Sequence, residues 1–297
     1  NPGGQHAAGI QLLDALSDPA LKNEGARLLA TAPTDVLFDG WMIVRRWTDS
    51  AETALRLLRT AAARPRGPQF AQDSVRLQSS LPLQLAYRGR FSESYLSLGT
   101  RPSRLFAQLA LLGAVETDTA KTVFARWLAA RTPQVHTALP WWAARGDSTS
   151  IAQLVRVYDS AVANGKPENL LTARYNSAAA RAYLALARHD TARALTAFAA
   201  LSDTACLRCD LDRLTAARLL ANARRFVEAD KILRQRLFAA VTPTEIVMAL
   251  ERGKVATALG HKSDARRCFQ LVVQAWARGD PGARTLVAEA QKGLSRL

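Results

Sequence analysis

Apolar residues recur along the chain at three- and four-residue intervals, and nowhere does a strand-like alternation compete with them. The pattern is sharpest over residues 206–297. Two stretches there, 212–237 and 249–276, each read as helix, tight turn, helix. In the second, Gly253 and Gly260 are followed by Ala265 and Phe269. In the first, Ala217 and Arg224 are followed by Ala229 and Leu233. Both stretches show offsets of 7, 5 and 4 residues. Small residues mark where helix axes must approach, and the large residue one turn later fills the groove between them.

The same small-then-large pair recurs at Ala194 and Phe198, and again at Ala54 and Leu58. The register points Ile151, Ala194, Ala229 and Ala265 are separated by 43, 35 and 36 residues. The last two spacings suit tetratricopeptide repeats, helix pairs of about 34 residues that bury their apolar stripes only by stacking on neighbours. The predicted fold is therefore all-α, a tetratricopeptide-like α-solenoid of stacked antiparallel helix pairs. Residues 146–297 form the repeats, closed by a C-terminal helix that begins at Asp280-Pro281. Residues 1–145 form an irregular helical-repeat lobe in which the register decays.

Breaks along that lobe follow turn chemistry. Asp18-Pro19 and Thr132-Pro133 read as helix starts, and residues 64–68 (Arg-Pro-Arg-Gly-Pro) cannot continue a helix. Pro82 is expected to end or kink its helix near Leu81. Pro140 is expected to kink the helix carrying Trp141 and Trp142.

Charge narrows the choice of partners. Forty Lys and Arg against 25 Asp and Glu give +15, so acidic protein faces or anionic lipid headgroups suit this surface. Arginine dominates and is dispersed, without the dense tract that marks a nucleic-acid site, so nucleic acid is not the expected partner. No run of eighteen apolar residues is present to span a bilayer. The numbering opens on Asn1-Pro2-Gly3-Gly4, consistent with a removed export signal or with a fragment.

One family resemblance rests on particular residues. These are Cys206-Leu207-Arg208-Cys209, Asp212-Arg213-Leu214, Phe226-Val227-Glu228-Ala229, Ala249-Leu250-Glu251-Arg252, residues 275–281 (Ala-Trp-Ala-Arg-Gly-Asp-Pro) and the tail ending Leu294-Ser295-Arg296-Leu297. Together they resemble the C-terminal helical-repeat regions attached to bacterial serine/threonine protein kinases. The resemblance covers the last ninety or so residues well and the middle loosely. It implies a protein-interaction or sensory module, often outside the membrane. The 297 residues contain no Gly-rich loop, His-Arg-Asp loop or Asp-Phe-Gly triplet, so phosphotransfer is not implied.

Candidate chemistry is sparse. Cys206 and Cys209 form the single CxxC, and a zinc site needs four ligands, usually from two such pairs or from added histidines. The four histidines (His6, His136, His189, His261) stand apart in sequence, so no metal or other cofactor is expected. A local Cys206–Cys209 disulfide is expected instead, placed in the loop or first turn before Leu211. Cβ atoms three apart in a helix are about 5–6 Å from each other, too far for the bond. Cys268, beside Phe269, reads as a buried thiol. Trp141 and Trp142 are adjacent and point about 100° apart on a helix, so one of them is the candidate exposed anchor for a partner. No catalytic residues emerge. The sequence thus predicts a non-catalytic scaffold for protein–protein interaction, outside the cytoplasm in a bacterial periplasm, holding a membrane complex together. The alternative is a ligand-sensing ectodomain of a bacterial receptor kinase.

Overall fold

The computed structural model describes residues 2–64, 70–201, 209–235 and 241–297. Among these the protein is all-helical, 78% helix with no strand. The described residues form seventeen α-helices, which pack largely with their neighbours in sequence. The chain divides into two compact units. The division falls at Gly99 and Thr100, inside the 1–145 lobe expected from the sequence, and short later segments return to the first unit.

The first unit comprises Asn1–Gly99, Val241–Pro243 and Gln274–Asp280. Its helices are α1 (Pro2–Ser17), α2 (Lys22–Thr31), α3 (Thr34–Val44), α4 (Ala51–Ala63), α5 (Phe70–Tyr87) and α6 (Phe91–Leu98). Helix α1 packs on α2 and α3, and from there each helix packs on the next. Asp18 caps a single 3-10 turn that starts with Pro19, its carboxylate accepting from the Ala20 N–H at 2.8 Å. Helix α5 runs through Pro82 without ending, so of the stop or kink expected near Leu81 the stop is ruled out. The Pro82 carbonyl accepts from the buried Ser94 hydroxyl of α6 at 2.8 Å. Gly89 follows α5 at φ +76°, and a Cβ there would meet the Trp276 ring at 3.0 Å. The Trp276 indole donates to the Tyr87 carbonyl at 3.0 Å and lies edge-on to Phe91.

The second unit comprises Thr100–Ala240, Thr244–Val273 and Pro281–Leu297. It contains α7 (Arg104–Leu111), α8 (Thr117–Ala129), a 3-10 segment over Pro133–Ala138 and the short α9 (Leu139–Ala143). Then follow α10 (Ser148–Asn164), α11 (Pro167–Ala187), α12 (Thr191–Ala199), α13 (Asp210–Asn222) and α14 (Phe226–Leu233). Most of α15 (Pro243–Ala258), most of α16 (Lys262–Ala275) and all of α17 (Pro281–Leu294) complete it. Pro140 sits in the first turn of α9, where a missing N–H costs nothing. The chain therefore changes from 3-10 to α at this point instead of kinking inside one helix.

Trp141 and Trp142 are both buried, 3% and 2% exposed, which overturns the expectation that one faces solvent. Helix α9 is a short central rod touched by α7, α10, α11 and α13, so residues pointing in different directions all meet neighbours. Phe124 reaches both indoles, at centroid distances of 5.1 and 6.1 Å.

The sequence register reappears as one turn geometry. Gly89, Gly146, His189, Arg224 and Gly260 all have φ between 58° and 76°. At each, the residue's own N–H bonds back three residues and the following N–H bonds back five: Arg224 to Ala221 and Arg225 to Leu220, Gly260 to Thr257 and His261 to Ala256. This is the Schellman ending of a helix. Five residues after each turn lies a fully buried side chain: Ser94, Ile151, Ala194, Ala229 or Ala265. Four residues further lies a second buried side chain, Leu98, Val155, Phe198, Leu233 or Phe269, larger than the first at every turn except Ile151 and Val155. Phe269 shows why the small positions matter. A Cβ on Gly253 of α15 would meet its ring at 2.5 Å, and a Cβ on Gly293 of α17 would meet the ring's other edge at 2.5 Å.

Candidate functional site

Helix α13 begins Asp210-Leu211-Asp212, and both acids are buried. Acids in a first helical turn complement the helix dipole, which gives a local reason for their position. Two residues apart, they point to nearly opposite sides of the helix and meet different partners.

Asp212 is the centre of the larger set. Its Oδ2 accepts from the His136 Nε2 at 3.1 Å and from the Tyr175 hydroxyl at 3.0 Å. Its Oδ1 accepts from the Tyr183 hydroxyl at 2.9 Å. Tyr175 and Tyr183 lie two helical turns apart on α11, hence on one face, and His136 comes from the 3-10 segment before α9. Burial by itself would raise the Asp212 carboxyl. The charge and hydrogen bond of His136 and the two tyrosyl hydroxyls outweigh it and hold the pKa below the ordinary value. Burial, reinforced by the Asp212 charge, pushes the Tyr183 and Tyr158 hydroxyls well up, so both stay protonated. The Tyr158 and Tyr175 rings flank the imidazole at 6.3 Å. His136 Nδ1 is buried and has no hydrogen-bond partner among the described residues.

Asp210 faces α7. Arg104 donates to its Oδ1 at 2.9 Å, and Gln108 donates to its Oδ2 at 3.0 Å. Arg104 and Gln108 are one turn apart on α7, so they present two donors to one carboxylate. Burial dominates here and raises the Asp210 carboxyl despite the opposing charge of Arg104.

Cys209 precedes α13. It is disulfide-bonded, and its predicted partner Cys206 lies outside the described residues. Cys209 packs with Tyr175, Ala179 and Leu201. Its sulfur, a ring nitrogen of His136 and a carboxylate oxygen of Asp212 all lie within 4.8 Å of one another. Cys268 is a free buried thiol, as its apolar setting predicted. The expectation that His136 stands alone is thus corrected. Its partner is 76 residues away in sequence, and no spacing rule connects them. The legible signal was the pair of acids opening α13, which reads equally well as ordinary helix-start chemistry.

A second set of charges lies on α13–α17. Arg234, the residue after α14, bridges Asp230 at 2.5 Å and Asp264 of α16 at 2.8 Å. Glu251 of α15 takes Arg218 of α13 at 2.8 Å and Lys254 at 2.9 Å, and Lys254 reaches Glu289 of α17 at 2.9 Å. Two of these pairs are local, and the other three join each helix to the second one after it, α13 to α15, the end of α14 to α16, and α15 to α17; partly exposed pairs of this kind add little stability.

The site and the fold together define an all-helical protein with a buried acid–imidazole–phenol cluster. No protein-family model, curated protein or solved structure matches the chain. Among the described residues, no helix is long and apolar enough to cross a membrane.

Proposed function

We propose that the protein is a non-catalytic, tetratricopeptide-like scaffold that binds another protein, working outside the cytoplasm on a membrane complex. The five equivalent helix endings support the repeat reading, and the resemblance to kinase-attached repeat regions points to interaction as the role. The observation that carries the proposal is Trp47. It is 55% exposed, whereas the other five tryptophans are buried. Its backbone is held: the Trp47 carbonyl accepts from Arg88 at 2.6 Å, and its N–H bonds to the Val44 carbonyl. A large ring on a fixed backbone loses little freedom on binding, which suits a hot spot. Met42 is exposed on the preceding helix, and Arg46, the residue before Trp47, is exposed as well. An apolar pocket with an acidic rim is the matching partner surface.

The test is co-migration with membrane complexes on native gels, for wild type and Trp47→Ala. The scaffold reading expects a stable high-mass band that high salt weakens and Trp47→Ala abolishes. A band unchanged by the substitution would move the interface elsewhere, and no band in any membrane fraction would remove the reading.

One observation favours the sensor alternative. A groove of about 520 Å³ in the first unit is lined by Leu16, Pro19, Ala26 and Leu29, with Lys22 and Arg56 among its walls. Such a groove suits a small apolar anion. Saturable fatty-acid binding lost in Arg56→Glu would support that reading in place of the scaffold.

A further inference from the structure

The His136, Cys209 and Asp212 cluster offers nitrogen, sulfur and oxygen donors to one point, yet Cys209 is disulfide-bonded. The thiolate is the metal-binding form of cysteine. We propose that reduction of the Cys209 disulfide converts this cluster into a site for a divalent transition ion of the zinc type, held by His136, Cys209 and Asp212. The inference stands apart from the scaffold reading, because it uses only the core of the second unit.

The distances suit a small ion. Two ligands about 2.1 Å from a tetrahedral zinc stand about 3.4 Å apart, and a sulfur about 2.3 Å from it stands about 3.6 Å from each. His136 Nε2 and Asp212 Oδ2 are already 3.1 Å apart. With all three ligand atoms within 4.8 Å, closure needs a sulfur movement on the order of 1 Å, a scale that release of the bond permits. A supporting shell exists. Tyr183 holds the distal oxygen of Asp212, and Cys209 lies against Tyr175, Ala179 and Leu201, which keeps the sulfur dry. The mixed N, S and O set favours zinc or cobalt over magnesium or calcium. Three protein ligands leave the fourth position to solvent or a small exogenous anion.

The chemistry balances with a dithiol as reductant. It gives two electrons and two protons to the disulfide, becoming a disulfide itself and leaving two thiols on the protein. Metal entry then displaces the Cys209 thiol proton to solvent, and Asp212 is already ionised. Metal entry also displaces to solvent the Nε2 proton that His136 shares with Asp212, and the imidazole ligates as the neutral ring with its remaining proton on Nδ1, the nitrogen that has no other hydrogen-bond partner among the described residues.

The test uses the full chain, oxidised and reduced, with a phosphine as non-chelating reductant and Co(II), then Zn(II), as probes. The reduced wild type should take up one cobalt with a sulfur-to-cobalt charge-transfer band and tetrahedral visible bands, which zinc then bleaches. The oxidised protein should bind about 100-fold more weakly or worse and show no such band. Reduced Cys209→Ala should lack the band. Tyr183→Phe should keep it while losing about 10–100-fold in affinity, the usual cost of removing an outer-shell hydrogen bond. Far-ultraviolet circular dichroism follows the fold throughout, and the wild-type redox contrast needs no variant. The proposal is overturned by a reduced, folded protein without the band, by equal affinity in both redox states, or by a band that survives Cys209→Ala. It is equally overturned if reduction collapses the helices and zinc does not restore them.

Discussion

In the first unit the buried charge is a cation. Arg88 leans on the carbonyls of Arg45 and Trp47, at 3.2 and 2.6 Å, just past the end of α3, where the helix dipole is negative. In the second unit Asp210 and Asp212 are buried carboxylates, and side chains from distant segments satisfy them. The contrast concerns how many elements each charge ties together. Arg88 binds its own helix to one short segment, and the Arg45 carbonyl also has the Gln84 amide at 3.1 Å. Asp212 joins α11, α13 and the 3-10 segment, and one of its three donors, Tyr183, also lies 3.2 Å from the Thr215 hydroxyl. Two Arg88 nitrogens, Nε and Nη1, are buried without a hydrogen-bond partner among the described residues, and burial lowers its pKa. A buried cation held by backbone is therefore a replaceable device, whereas the carboxylate at the junction is not.

Unequal losses at these two charges are the largest expected effect. Asp212→Ala leaves an imidazole and two phenols facing a void and should cost about 3–5 kcal/mol, as breaking a buried charged network does. Arg88→Met removes one hydrogen-bond donor group, relieves the desolvated cation and should cost only about 1 kcal/mol. Denaturant unfolding followed by tryptophan fluorescence measures both. Equal losses would break the comparison and make Arg88 as much a junction as Asp212.

Next in size are the close crossings of the second unit. Phe269 is flanked on two edges by glycines, so it cannot retreat from a methyl added on one side. Gly253→Ala and Gly293→Ala should each cost about 1–3 kcal/mol, despite the helical preference of alanine, and Ala265→Leu should cost a similar amount. Gly260→Asn should cost well under 1 kcal/mol, because space is open there and asparagine tolerates positive φ. Thermal midpoints rank the four. A tolerated Gly253→Ala would mean that the ring has a second place to go.

Those crossings were legible in the sequence, and the buried cluster was not. Offsets of 7, 5 and 4 residues identified the turns at Arg224 and Gly260 and the buried Ala229 and Ala265, because local backbone geometry repeats with the helix period. The period carries no information about which helices meet across a core. His136 to Asp212 was therefore invisible, and so was the enclosure of Trp141 and Trp142, which depends on four helices surrounding one short rod. The position of Trp47 three residues past the end of α3 gave no hint of exposure. Its neighbour Trp41 reads the same way in sequence but is buried, with its indole donating to Gln84 at 2.9 Å.

The smallest effect sharpens the comparison within the second unit itself, since its two carboxylates shift in opposite directions. Asp212 is held below the ordinary value of 3.8, so its contribution is present above that value. It is lost as pH falls through the depressed folded value. Asp210 is raised, so the fold prefers its protonated form. Its ionisation therefore costs stability at neutral pH, and that cost disappears as pH falls through the raised value and is gone below 3.8. Stability should accordingly rise slightly on mild acidification and then fall on stronger acidification. Asp210→Asn should erase the rise and keep the fall, and Asp212→Asn should keep the rise and erase most of the fall. Urea midpoints measured from neutral pH down through the carboxylate range test this for all three proteins. The Asp212 charge adds a little to the rise at Asp210, and identical pH profiles in the two variants would show that the carboxylates titrate as one unit.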